Sequence, residues 1–183
     1  EYQDIFGMIQ NQTERLSHLS EVLLDMTGIQ SVERSDFISL AELTDEVCCD
    51  LSSIADQKKV ELIQEEGDCT VTGSYLLLYR AVFNLVENAI KYNHPDGSVH
   101  IDIKDENGFA LISIKDTGIG IAPENQEKIF TPFFCVDKSR SRTMGGAGLG
   151  LALVAEIAQL HNGTVYVSES DSEGSTIILK LPL

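Results

Sequence analysis

Residues 145–163 read GGAGLGLALVAEIAQLHNG, four glycines in six positions followed at once by an amphipathic helical pattern. Glycine loses more backbone freedom on folding than any other residue, so a cluster belongs where a side chain would block a close approach or φ must be positive. The helix that follows says what could approach. Its first N–H groups have no partner within the helix and carry the positive end of the dipole, so a glycine-lined helix mouth is a seat for phosphate held against backbone. A flexible loop before an ordinary surface helix fits the same letters, and the other segments must decide.

Charge narrows the partners. The 183 residues carry 13 Lys plus Arg against 29 Asp plus Glu, a net charge of −16. That balance argues against a general nucleic-acid or anionic-membrane surface, so any bound anion needs a local basic cluster. The length suits one good-sized domain with an appended element, and 43% hydrophobic residues is ordinary for a soluble globule. Cys48, Cys49, Cys69 and Cys135 have no metal-ligand spacing and read as reduced thiols in a cytosolic setting, without disulfides or zinc. No apolar run approaches the roughly 20 residues of a membrane span, and no signal peptide is visible. A start at Glu1 without methionine reads as a piece of a longer chain.

From Ile5, positions Ile9, Gln12, Leu16, Leu19, Leu23, Met26 and Gln30 follow at alternating spacings of four and three. This seam predicts a long helix that wants a partner helix, although one helix packed on its own domain shows the same stripe. SVERSDFISL breaks the seam near residues 31–36, dividing the chain into a helical segment, 1–33, and a domain, 34–183. Within the domain, strand patterns at 36–40, KKVELIQEE and CTVTG surround a helix over 41–57, and Ser74 is placed to cap a long helix reaching Tyr92. SVHIDIKDE and FALISIKD flank Asn107-Gly108, a two-residue hairpin signal, and GTVYVSES with GSTIILKLPL forms a second pair. Hairpins alternating with helices predict an α+β fold, a two-layer sandwich whose mixed sheet is covered on one face by helices.

Three segments carry candidate chemistry. In YLLLYRAVFNLVENAIKYN, Leu78, Val82, Leu85, Val86 and Ala89 form an apolar arc, opposite Arg80, Asn84, Glu87, Asn88 and Lys91. Asparagine is a poor helix-interior residue, so two at i and i+4 suggest a hard cation held by carboxamide oxygens beside phosphates, with Lys91 one turn on; a solvated polar face is the alternative. ISIKDTGIGIAPE ends a strand on Asp116 and turns through Gly118 and Gly120. Such a carboxylate can accept from an amine while the glycines admit a flat ligand, or it simply nucleates the turn. Lys138, Arg140 and Arg142 lie in an irregular segment before the glycine cluster, as a basic lid over a phosphate seat or as a solvated loop. No GxxxxGK[ST] motif occurs, and Leu151 stands where a dinucleotide fingerprint needs its third glycine.

Taken in order, NLVENAIKY, DTGIGI, IFTPFF and GGAGLGLAL resemble the N, G1, F and G2 boxes of sensor histidine kinases, in the GHKL ATP-binding superfamily. The resemblance covers roughly residues 36–183. It implies the Bergerat α/β sandwich, with ATP between the N-box helix and a lid. Asn88 would bind magnesium with Asn84 nearby, and Lys91 and Tyr92 would line the phosphate and ribose side. Asp116 would accept from the adenine amine, in a pocket shaped by Gly118 and Gly120 and supported by the hydroxyl of Thr176. Gly146, Gly148, Leu149 and Gly150 would meet the phosphates beneath a lid carrying Lys138, Arg140 and Arg142.

The first thirty residues resemble the second helix of the dimerisation and phosphotransfer domain, without the first helix and its histidine followed by an acid. His18 is followed by Leu19 and lies in the wrong helix, so the resemblance implies a phosphoryl donor whose acceptor lies outside the chain. Its partners would be that acceptor helix and a response regulator receiver, within a homodimeric full-length protein. The fragment itself is expected to be cytoplasmic and to touch neither nucleic acid nor membrane. Ala147, where the family often has threonine, and Pro132 with Cys135 depart from the pattern around the lid. Hydrolysing relatives carry a glutamate at the position of Asn84, so transfer is expected over hydrolysis, with Glu87 the reserve base. A nucleotide-binding regulatory module that no longer catalyses is the rival reading.

Overall fold

The computed structural model describes residues 29–136 and 148–183. The elements run β1 (Asp36–Ser39), α1 (Leu40–Lys58), β2 (Glu61–Gln64), β3 (Thr70–Gly73), α2 (Tyr75–Lys91), β4 (Ser98–Glu106), β5 (Phe109–Asp116), two 3₁₀ turns (Pro123–Asn125 and Lys128–Phe130), α3 (Gly150–Leu160), β6 (Thr164–Asp171) and β7 (Gly174–Pro182). The five-stranded sheet has the order β2-β4-β5-β7-β6, and β1 with β3 forms a separate ribbon. The β2–β4 pair is parallel and the other pairs antiparallel, so the sheet is mixed as expected. The long helix expected over the first thirty residues lies outside the described residues, apart from a 3₁₀ turn at Ile29–Ser31. Ile29, on the leading side of the expected boundary, is buried in the core of the domain.

Strand alternation builds that core. Val99, Ile101 and Ile103 of β4, Ala110, Ile112 and Ile114 of β5, and Ile177, Leu179 and Leu181 of β7 are all buried. Successive strand side chains point to opposite faces, so each set lies on one side of the sheet. The three helices cover it with Leu43, Val47 and Leu51 from α1, Leu78, Val82 and Leu85 from α2, and Val154 and Ile157 from α3. The β4–β5 turn uses Asn107 at φ 55° and Gly108 at φ 81°, the two positive-φ positions of a type I′ hairpin.

The helix starts are anchored from outside. Ser39 caps α1 by accepting from the Glu42 N–H at 3.2 Å, and the Asp68 carboxylate takes the Ala41 N–H at 3.0 Å. Ser74 stands at the N-cap of α2, but its hydroxyl makes no capping bond, contrary to the expectation. The residue is buried, and Asp36 of β1 instead accepts from the Tyr75 N–H at 3.2 Å. A carboxylate at a helix N-terminus satisfies an orphan donor and the dipole together.

Ile112 is fully buried at the centre of β5. Ile112→Ala should cost about 2–5 kcal/mol of stability, read as a lower midpoint of urea unfolding at unchanged slope.

Candidate functional site

The polar face of α2 meets the N-terminus of α3. Asn84 donates from Nδ2 to the Arg80 carbonyl at 2.8 Å, an i−4 bond that directs its Oδ1 outward. That oxygen lies against Gly150, where a Cβ would come within 2.6 Å of it and within 3.8 Å of Asn88 Nδ2. A side chain at position 150 would therefore displace the Asn84 carboxamide from this place. Gly148, at φ 71°, accepts the Phe133 N–H on its carbonyl at 2.9 Å, tying the approach to α3 to the 131–136 segment. Leu149 between them is buried, which leaves its backbone rather than its side chain to face a ligand.

Lys91 follows on the same face, half-buried, with Nζ 5.6 Å from the centroid of the Tyr92 ring. Burial pulls its ammonium below the ordinary lysine range, with Glu87 opposing the shift and Lys58 adding to it. Burial likewise pushes the Tyr92 phenol up.

The second half of the site is a carboxylate at the end of β5. Asp116 is 8% exposed; its Oδ1 accepts from the Gly118 N–H at 2.8 Å and its Oδ2 from the Ser175 hydroxyl at 2.6 Å. Each oxygen keeps a second lone pair for an incoming donor. The Tyr92 carbonyl accepts from the Ile119 N–H at 3.2 Å, so the glycine turn after Asp116 is bonded to the end of α2. Asn84, Asn88, Lys91 and Tyr92 thus lie on one helix, between the mouth of α3 and the turn that carries Asp116.

Residues 73–183 match the family described as histidine kinase-, DNA gyrase B- and HSP90-like ATPase. The chain belongs to this family. It is 33% identical over 180 residues to sensor histidine kinase RppB of Synechocystis sp., covering 96% of this chain and 40% of RppB. The Acinetobacter baumannii histidine kinase AdeS superposes with a TM-score of 0.76 at 26% identity, covering 97% of this chain and 83% of that one. Histidine kinase ThkA, in its complex with response regulator protein TrrA, gives 0.73 at 24% identity over 93% of this chain and 48% of that one, a likeness of fold. The chain is the ATP-binding catalytic domain of a two-component sensor histidine kinase, and it spans less than half the length of curated relatives such as RppB.

Two expectations for the kinase domain change. The hydroxyl on Asp116 belongs to Ser175, not Thr176. Asp116 pairs with Ser175 across β5 and β7, and Lys115 with Thr176; with a strand period of two, Thr176 points to the face of the sheet opposite Asp116. Gly118 and Gly120 were expected to admit a flat ligand, yet their missing side chains make room for the protein itself. A Cβ on Gly118 would strike the Tyr92 carbonyl, and one on Gly120 the Asp171 carbonyl. Ser175 was missed from sequence, although its place directly after the turn at Gly174 and opposite the strand end at Asp116 was the available signal. Lys138, Arg140, Arg142 and Gly146 lie outside the described residues.

The donors fit a hard cation shared with a ligand rather than caged by the protein. The carboxamide of Asn88 has no hydrogen-bond partner among the described residues, and Asn84 offers only Oδ1. No group of three or more His, Cys, Asp or Glu side chains suited to a metal occurs among the described residues. Magnesium keeps most of its coordination for water and phosphate, so one or two neutral oxygens suffice.

Ser175→Ala should weaken ATP binding about fivefold by freeing the Asp116 carboxylate to rotate. Thr176→Ala should leave it unchanged. Calorimetric titration of both variants checks the pair.

Proposed function

We propose that the kinase domain binds Mg-ATP between α2 and the mouth of α3 and transfers the γ-phosphoryl to a histidine outside this chain, for onward transfer to a response regulator. The observation that carries this reading is the Asn88 carboxamide, without a partner among the described residues, beside the Gly150 backbone, with Asp116 held by Ser175 and Gly118 on the far side.

Each residue has a task. Asp116 accepts the exocyclic amine of adenine. Tyr92 lines the ribose side, and Lys91 meets phosphate oxygens in a half-buried place where Glu87 only partly offsets the cost of burying its charge. The N–H groups at Gly148–Gly150 receive phosphate at the helix dipole. Magnesium on Asn88, near Asn84, would lower the negative charge of the polyphosphate, which is most of what phosphoryl transfer asks of a protein. Lys138, Arg140, Arg142 and Gly146, which lie outside the described residues, are the further phosphate-binding residues that the family resemblance implies.

Position 84 holds a carboxamide that cannot take a proton from water, so transfer is favoured over hydrolysis. Glu87 is the remaining carboxylate on that face. The described histidines do not suit the acceptor role: His161 is buried with both ring nitrogens bonded, His100 leans on Glu65, and His94 lies in the turn after α2. The acceptor would belong to a phosphotransfer helix outside this chain, with residues 1–33, of which 1–28 lie outside the described residues, assigned to the same dimerisation domain by the resemblance, in a homodimer on the cytoplasmic side of an anchored sensor.

ATP titrated calorimetrically with and without magnesium should bind in a magnesium-dependent manner. Asp116→Asn should weaken binding at least about tenfold, because a charge-assisted acceptor is lost. A separately supplied acceptor-helix domain should gain acid-labile phosphate while free ATP is hydrolysed slowly. Fast hydrolysis that Glu87→Gln abolishes would overturn transfer in favour of an ATPase; binding without any transfer would favour the regulatory module.

A further inference from the structure

His161 lies at the end of α3 opposite the nucleotide site. It is 6% exposed, its Nε2 accepts the backbone N–H of Ser74 at 3.0 Å, and its Nδ1 donates to the Ile157 carbonyl at 2.8 Å. Both bonds together require the neutral ring with its proton on Nδ1. The imidazole packs against Gly73, where a Cβ would come within 2.6 Å of its Cδ2. The one backbone N–H it captures is at the N-cap of α2, whose own serine hydroxyl makes no capping bond.

Two contacts now join α2 and α3, and they lie at opposite ends. His161 ties the C-terminus of α3 to the N-terminus of α2, and Gly150 at the N-terminus of α3 rests on Asn84 in the middle of α2. Ser74 to Asn84 spans about 15 Å at the α-helical rise, and Gly150 to His161 about 16 Å. The helices are therefore antiparallel with matched distances between the two contacts. A shift at the His161 end must move the Gly150 end along Asn84 and Asn88.

We propose that His161 is a positioning residue for the nucleotide site, a pin that sets the register of α3 on α2 and so places the α3 mouth against Asn88 and Lys91. The inference rests on the functional reading above. It also gives the register a pH dependence. Protonation would set an Nε2 proton against the Ser74 N–H and add a charge facing Arg34; burial and Arg34 both lower the pKa of the ring, and only the Ile157 carbonyl opposes them. Asp36 is engaged by the adjacent Tyr75 N–H. Because the folded pKa lies below the ordinary 6.5, the stabilisation is complete above that value. It is lost as pH falls through the window below it, where the unfolded chain takes up the proton first.

The test uses the 183-residue chain, with ATP affinity and thermal unfolding measured on the same samples, at a temperature where every variant is fully folded. His161→Ala should weaken ATP binding about fivefold, and His161→Gln, whose amide oxygen can accept from Ser74 without titrating, should restore most of it. Leu51→Ala in α1, away from the site, should lower the melting temperature without changing affinity. The affinity of His161→Gln relative to wild type should rise as pH drops through the window below the ordinary imidazole value of about 6.5, where the buried ring takes up its proton; the titration of the nucleotide itself cancels in that ratio. A His161→Ala protein that melts earlier but binds ATP like wild type would make the residue merely structural and sink the proposal. So would a glutamine variant without rescue, a flat ratio across pH, or a Leu51→Ala protein equally weakened in binding. Should His161→Ala not fold, the glutamine ratio decides. A wild-type chain that does not bind ATP overturns the functional reading instead, and the pin falls with it.

Discussion

α2 and α3 meet closely where a side chain is absent. At Gly150 the backbone of one helix lies on the carboxamide of Asn84 in the other, and a Cβ there would come within 2.6 Å of the Asn84 Oδ1, so the carboxamide would have to leave its place. Both helices cover the same face of the sheet with Val82, Leu85, Val154 and Ile157. Hydrophobic burial is not directional, so it brings the helices together without fixing their axial register. The His161 imidazole, held by Ser74 and Ile157, supplies the directional bond between them, and the Asn84 carboxamide, oriented by its bond to Arg80, supplies a close contact at Gly150. Everything asked of the site, from the oxygen of Asn88 to the free N–H groups of α3, depends on that register.

The sheet contributes the other wall. β5 is central in the strand order and antiparallel to both neighbours, so its end at Asp116 is braced on either side, and the partner across β7 is Ser175. The turn that follows is pinned to α2 through Tyr92 and to the last hairpin through the Ile121 N–H, which donates to the Ser170 hydroxyl at 2.7 Å. The carboxylate is thus oriented by two protein donors before any ligand arrives, and a preorganised acceptor loses less entropy on binding than a free one.

Much of this was legible in the letters, and the failures have physical causes. Local rules located Asn107-Gly108, the alternating strands and the apolar arc of α2, because each depends on neighbours in sequence. What failed depended on partners distant in sequence. The cap of α2 comes from Asp36, 39 residues away, and the hydroxyl on Asp116 from Ser175, 59 away. The choice between Ser175 and Thr176 is a choice of strand register, in which a slip of one residue reverses the face. The glycines were correctly marked as sites of close approach, but the approaching group at Gly118, Gly120 and Gly150 is the protein's own backbone or carboxamide. A sequence shows that room is required without showing what fills it.

The same geometry answers how a chain of charge −16 can hold a polyphosphate. Its net field repels anions, so attraction has to be short-ranged. The helix mouth and the carboxamides of α2 supply dipoles, which carry no net charge and act where water is displaced. Lys91 supplies a full positive charge on that α2 face, and its burial lowers the pKa of the ammonium. A phosphate placed beside it reverses that penalty by stabilising the charged form, so binding the anion and holding the proton on Lys91 reinforce one another. A more exposed lysine would already be solvated and would gain less from the contact. In the proposed site, half-burial would let Lys91 discriminate a bound phosphate from dilute anions in solution.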